Sequence, residues 1–149
     1  MTRLLAIIGG LLAVLAVGFE AEPARSAQVP TPAFRPLTIE LSSASSIAAY
    51  QLEITVTAGE ASFVGIEGGE APFDAPPSYD PEALSDTRII VAAFDTTAAL
   101  PPGTHRVATL HVRELGPGAA YQVRVLAVAN SAAERVTAAA TIARNEERP

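Results

Sequence analysis

The chain has 149 residues, a net charge of −6 and no cysteine, which excludes disulfides, thiol catalysis, zinc ribbons and iron–sulfur ligation. Its ten basic residues are all arginine and form no basic cluster, so nucleic acid is not an expected partner, and the acidic balance disfavours anionic membrane surfaces. The alanine, proline and glycine content, with no lysine, is the bias of a GC-rich bacterial genome.

Residues 1–19 begin with a basic "MTR" and continue as the apolar run "LLAIIGGLLAVLAVGF". This is the pattern of a secretory signal peptide, slightly short of the ~20 apolar residues of a membrane span. "AVG", Ala16 to Gly18, suits cleavage, and an uncleaved anchor stays open as the alternative, the one route by which a membrane would become a partner. The expected location is therefore exported, periplasmic or extracellular. Residues 20–36, "EAEPARSAQVPTPAFRP", carry four prolines and no periodicity and read as a linker.

From Leu37 the period becomes two, the strand signature. "LTIELSS" sets Leu37, Ile39 and Leu41 on one face. "IAAYQLEITVTA" sets Tyr50, Leu52, Ile54 and Val56 against Gln51, Glu53, Thr55 and Thr57. One apolar and one polar face belong to an antiparallel sheet solvated on one side. "AGEA" reads as a turn into a short strand, "SFVGIEGG". Residues 67–86 form a long irregular stretch in which Asp80-Pro81-Glu82 has the form of a helix start. "RIIVAAFD", "HRVATLHVREL", "YQVRVLAVANS" and "ERVTAAATIA" complete the strands, and residues 144–149 form a polar tail. The expected fold is all-β, an antiparallel two-sheet β-sandwich of jelly-roll type with about seven to nine strands, over residues 37–143. Apolar burial, at about 25 cal/mol per Å², is its main stabilising term, so a charge at Leu52, Ile54 or Leu110 should unfold it.

Motifs for chemistry are scarce. No G-x-S-x-G, H-E-x-x-H, P-loop or G-x-G-x-x-G occurs. Asp95, after the densest apolar run, could serve a glycosidase only with a second placed carboxylate, and no motif supplies one. His105 and His111 stand six residues apart on one strand, roughly 20 Å, too far to share a metal. The acids Glu67, Glu70, Asp74, Asp80, Glu82 and Asp86 lie on the irregular stretch. Of these Glu70, Asp74 and Asp80 are the weak candidates for Ca²⁺, without a D-x-D-x-D-G pattern. Tyr50, Tyr79 and Tyr121 could stack a sugar, although Tyr50 and Tyr121 fit a core position better. No catalytic residue and no cofactor is assigned.

The order of these pieces resembles the cohesin family and the related carbohydrate-binding-module sandwiches. "AYQLEITV", "SFVGIEGG", "DTRIIVAAFD" and "LPPGTHRVATLHV" carry the resemblance, over roughly residues 37–128. The family's first strand and Gly-Asp turn are not evident before Leu37, and His111 stands where a threonine is usual. The resemblance implies a non-enzymatic module that binds a protein partner, commonly a dockerin, through an exposed sheet face. On this chain that face would comprise Gln51, Glu53 and Thr55 on one strand and Thr109, His111 and Arg113 on another. A polysaccharide-binding sandwich and a structural or adhesive envelope domain are the alternatives.

Overall fold

The computed structural model describes residues 31–84 and 86–144. The signal segment, most of the expected linker and residues 145–149 lie outside the described residues. Six strands are present: β1 (Pro32–Ser43), β2 (Ala49–Gly68), β3 (Ser78–Tyr79), β4 (Arg88–Phe94), β5 (Gly103–Ala129) and β6 (Ala138–Arg144). A single 3-10 turn, Pro81–Ala83, is the helical element among the described residues, and Asp80 caps it as the sequence predicts, accepting from the Glu82 amide at 3.0 Å.

All pairings are antiparallel, in the order β3-β4-β2-β5-β1-β6. The fold is therefore all-β, as expected, but hydrogen bonding runs through one continuous six-stranded sheet rather than two. The strand count is lower because two pairs of expected strands are each one long strand. "IAAYQLEITVTA" and "SFVGIEGG" are both parts of β2, and "HRVATLHVREL" and "YQVRVLAVANS" are both parts of β5.

The register shows why they do not separate. The first half of β2 pairs with the second half of β5, Ala49↔Ala129 to Ala58↔Ala120. The second half of β2 pairs with the first half of β5, Glu60↔Leu115 to Gly68↔Ala108. The expected "AGEA" turn is instead the junction between the two paired halves, where the register shifts and residues 116–119 of β5 loop past Gly59. Gly59 adopts φ 73°, and Gly116 and Gly118 opposite adopt φ 80° and 92°. A side chain at Gly59 would also meet the Ala119 Cα at 2.7 Å. Conformation and space both demand glycine there.

The bend divides the sheet into two arms. One contains β6, β1, β5 from 103 to 115 and β2 from 60 to 68. The other contains β5 from 120 to 129, the start of β2, β4 and β3. Their apolar faces share one core: Leu37, Ile39, Leu41, Leu110 and Val112 from the first arm, and Leu52, Ile54, Ile89 and Val91 from the second. The Tyr50 hydroxyl, buried in the second arm, donates to the Val107 carbonyl of the first at 3.0 Å. Phe73, from the irregular stretch, packs edge-on against Tyr50 with ring centroids 5.1 Å apart.

A bulge repairs one break in the apolar pattern. Strict alternation after Phe63 would turn Ile66 to solvent. The register shifts between Phe63 and Gly65, so both Phe63 and Ile66 are buried and Val64 is left exposed.

The expected boundaries at both ends need correction. β1 starts at Pro32, inside the stretch assigned to the linker. Among the described residues, 32–36 pair with β5 on one side only, the β1–β6 pairing running from Ser43↔Ala138 to Leu37↔Arg144. Prolines that cannot donate are tolerated on such an unpaired flank. At the other end Arg144, assigned to the polar tail, belongs to β6.

Tyr50→Phe should lower stability by about 1–2 kcal/mol through the unpaired Val107 carbonyl. Gly59→Ala should cost more than about 1 kcal/mol through strain and the clash with Ala119. Urea denaturation of the two variants, with unchanged m-values, checks both.

Candidate partner-binding face

Two stretches of the sheet carry the residues expected to bind a partner, and the structure does not join them. Gln51, Glu53 and Thr55 lie on the outward face of the second arm. Their cross-strand neighbours are Ala92, Ile90 and Arg88 on β4, and Ala127, Arg124 and Gln122 on β5. Thr109, His111 and Arg113 lie on the outward face of the first arm. They neighbour Thr38, Pro36 and Phe34 on β1, and Glu67, Gly65 and Ser62 on β2. No member of one triplet is a ladder neighbour of the other, so they do not form a single surface.

Within the second arm, Glu53 stands at the centre. Alternation points it outward, yet the residue is 9% exposed because arginines from both neighbouring strands lie over it. Arg88 Nε donates to Oε1, and Arg124 Nε donates to Oε2 at 2.8 Å, so each carboxylate oxygen has its own guanidinium. The hydrogen bonds from Arg124 and then Arg88 hold the Glu53 carboxyl below the usual carboxylate range, outweighing the opposing effect of desolvation. The arginine side chains remain 57% and 64% exposed. A buried acid thus fixes two solvent-facing guanidiniums, and the group carries net positive charge on a chain of −6.

Next to this triad the face becomes apolar. The inward phase of Ile89, Val91 and Ala93 directs Phe94 outward, where it is 77% exposed. Ala49, Gln51, Ala92, Ala127 and Ala129 line a shallow depression of about 250 Å³ with Phe94 at its rim. On the other side of Phe94 a second depression is lined by Pro72, Pro76, Pro77 and Ser78. Small alanines on three adjacent strands leave the space, and the aromatic ring stands above it.

The first-arm triplet is less open. Thr109 is buried and accepts from Arg106 at 3.0 Å. His111 Nε2 lies 3.1 Å from Glu67 Oε1, and Arg113 is exposed beside Phe34, which is itself 70% exposed.

The other candidates are occupied separately. Glu70 binds His105 Nδ1 at 3.0 Å and the Arg106 amide at 3.1 Å, which lowers its pKa; Asp80 caps its turn; Asp74 is exposed. No three His, Asp or Glu side chains gather in metal-binding fashion among the described residues. Asp95 accepts from the Thr97 hydroxyl and from the Thr97 and Ala98 amides at 2.7–2.8 Å, and these bonds lower its pKa. It closes its own turn. Tyr50 is buried, which pushes its hydroxyl pKa up, and Tyr79 is half-buried, so neither offers a sugar platform.

Tyr121 belongs to a cluster that sequence reasoning missed. Its hydroxyl donates to Glu114 Oε1 at 2.7 Å. Glu114, 3% exposed, faces the interior and also pairs with Arg35 at 3.3 Å and Arg144 at 3.1 Å. Burial and the Glu114 hydrogen bond both push the Tyr121 pKa up. Arg144 stacks over the Tyr121 ring at 5.7 Å and donates to the Ala119 carbonyl, pinning the end of β6 to β5.

No family model matches the chain, and no curated protein matches it in sequence. Among solved structures, it is similar to a non-cellulosomal cohesin from the hyperthermophilic archaeon Archaeoglobus fulgidus. The match has a TM-score of 0.54 and 12% sequence identity, over 72% of this chain and 75% of that one. The chain has a cohesin-like fold. At this identity the likeness is one of architecture, and it accords with the strand order and sequence stretches that resemble the family.

Glu53 has a folded pKa below its unfolded value, so its contribution to stability is present above the ordinary carboxylate range of about 4 and is lost as pH falls through the lowered pKa. Glu53→Gln should therefore reduce Tm at pH 7 and show a shallower further fall than the parent between about pH 5 and 2. Thermal melts across that range check the sign.

Proposed function

We propose that this chain is an exported, non-enzymatic binding module whose partner is a protein seated on the outward face of β4, β2 and the end of β5. In this reading the two arms act as the layers of a jelly-roll-type sandwich, and the N-terminal apolar run provides export to the periplasm or the cell exterior. The observation that carries the reading is the arrangement on that one face. Two fixed, exposed arginines anchored by Glu53 stand beside an exposed Phe94 and an alanine-lined depression. Aromatic and arginine side chains next to a pocket are the usual anchors of protein interfaces. The positive charge selects an acidic partner and would speed its encounter with the face. The cohesin resemblance implies a dockerin-type module as the partner class. The reading assigns no catalytic group and requires no metal or cofactor. A polysaccharide is less well supported, because the tyrosines expected to stack a sugar are buried or engaged.

Capture from the exported protein fraction of the source cells, followed by affinity measurement on the retained protein, tests this. Phe94→Ser should weaken binding at least about 30-fold, the size of an interface hot spot, with stability changed by no more than about 0.5 kcal/mol. Gln51→Glu should weaken it further at low salt than at high salt. His111→Ala, on the other arm, should leave it unchanged. Retention of polysaccharide alone, or sensitivity to His111 instead of Phe94, would overturn the proposal.

A further inference from the structure

Two phenylalanines stand in water, Phe34 at 70% and Phe94 at 77% exposed, and they lie on the outward faces of different arms. Phe94 belongs to the proposed partner face. Phe34 belongs to the first arm, where Leu37 and Ile39 take the inward phase of β1 and Phe34 the outward one. Its ladder neighbour on β5 is Arg113. Every other arginine among the described residues is held. Glu114 holds Arg35 and Arg144, and Glu53 holds Arg88 and Arg124. Arg106 donates to the Gly68 and Gly69 carbonyls and to Thr109, and Arg135 to the Leu126 carbonyl. Arg113 is exposed and has no ion pair, hydrogen bond or ring contact among the described residues. An unpaired guanidinium thus stands beside an uncovered phenyl ring.

The outward residues select what covers them. Across the β1–β5 ladder, Pro32 lies opposite Leu115, Phe34 opposite Arg113, and Pro36 opposite His111. A second copy can lie face to face on this arm about a two-fold axis that runs along the strands, between β1 and β5. Such an axis exchanges the two strands and keeps the rows, so each outward residue meets its own ladder neighbour from the other copy. Arg113 of each copy then stands over Phe34 of the other, twice by symmetry. Proline meets leucine on one side of that contact and imidazole on the other. A guanidinium over a phenyl face is attracted to it, and stacked sheets about 10 Å apart leave the depth that the two side chains fill. The two Arg113 groups lie on opposite strands and do not face each other. Exposed Glu60 and Glu67 on the adjoining β2 bring negative charge to the same face and disfavour a polyanionic ligand there.

We propose that the outward face of the first arm is a homodimer interface, in which two copies stack sheet on sheet through reciprocal Phe34–Arg113 contacts. The face is roughly 15 Å across on strand spacings, small for a protein interface, so the dimer is reversible and concentration-dependent. The Phe94 faces stay open and point away from each other, so the dimer would present two partner sites. The dimer itself does not depend on what binds them.

Sedimentation velocity on the full chain, up to about 1 mM, tests this. The sedimentation coefficient should rise with concentration from that of a monomer to that of a dimer. Phe34→Ser should weaken association at least about tenfold, because the truncation acts at two symmetric contacts. Phe34→Arg sets arginine against arginine twice and should leave only monomer. Adding Arg113→Glu to Phe34→Arg places an ion pair at both positions and should bring the dimer back. Phe94→Ser, on the other arm, should leave the dimer intact. All these side chains are exposed, so Tm should stay within about 3 °C of the parent. A monomer up to about 1 mM would overturn the proposal. So would a dimer that Phe34→Arg leaves intact, one that Phe94→Ser dissolves, or a Phe34→Arg chain that Arg113→Glu fails to restore.

Discussion

The backbone pairing of β2 with β5 extends from Ala49↔Ala129 to Gly68↔Ala108, with register shifts along it, and every other element hangs on it. β4 attaches to the first half of β2, and β1 attaches to the first half of β5. Where the two long strands bend, Gly59 lies against the backbone of Gly118 and Ala119, leaving no room for a side chain. The bend directs the apolar faces of both arms into one core, and the ladder resumes on its far side at Glu60↔Leu115. Separate sheets would have left backbone donors and acceptors of two additional strand ends to be satisfied elsewhere; the continuous strands leave fewer.

Two carboxylates follow the same arrangement on opposite faces. Glu53, outward, lies between Arg88 and Arg124; Glu114, inward, lies between Arg35 and Arg144. In each case the acid is buried and the arginines keep roughly half of their side chains in water. The guanidinium has several donors at fixed angles, so it can satisfy a carboxylate oxygen and keep solvent contacts with the rest. The consequences differ with the face. At Glu114 the pairing ties the end of β6 and the Tyr121 hydroxyl to the first arm. At Glu53 it ties down the inner ends of two arginines and presents their outer surface to whatever approaches the sheet.

Much of the fold is legible in the sequence because alternation is local. Period two alone assigns Leu37, Ile39, Leu41, Tyr50, Leu52 and Ile54 to the core face, and all are buried. What alternation cannot supply is pairing. "AGEA" looks like a turn because a glycine between Ala58 and Glu60 serves both a turn and a bulge, and only the opposing Gly116 and Gly118 distinguish them. Pro32 and Pro36 argue against a strand unless one knows that, among the described residues, β6 pairs with β1 only from Leu37 onward. The site is obscured for the same reason. Alternation puts Glu53 on the correct face, but the arginines that cover it are 35 and 71 residues away in sequence. Phe94 carries a readable signal: it ends an apolar run in the phase opposite to Ile89 and Val91, which marks it as outward. Separating Gln51, Glu53 and Thr55 from Thr109, His111 and Arg113 requires knowing which half of β5 adjoins which half of β2.

The way the polar groups are used bears on function. Asp95, which ends a buried strand as a catalytic carboxylate would, spends its acceptor on Thr97 and Ala98. Glu70 is divided between His105 and a backbone amide, and Asp80 between its own turn and solvent. Each is arranged toward local structure rather than toward a common point where a reacting atom could sit. Apolar surface shows the opposite pattern. Phe34 and Phe94 are large side chains with little local cover, and their exposure costs stability that the fold could recover with polar residues. On a chain of −6, two exposed arginines stand beside one such phenylalanine, and the carboxylate that fixes their position is itself almost wholly covered.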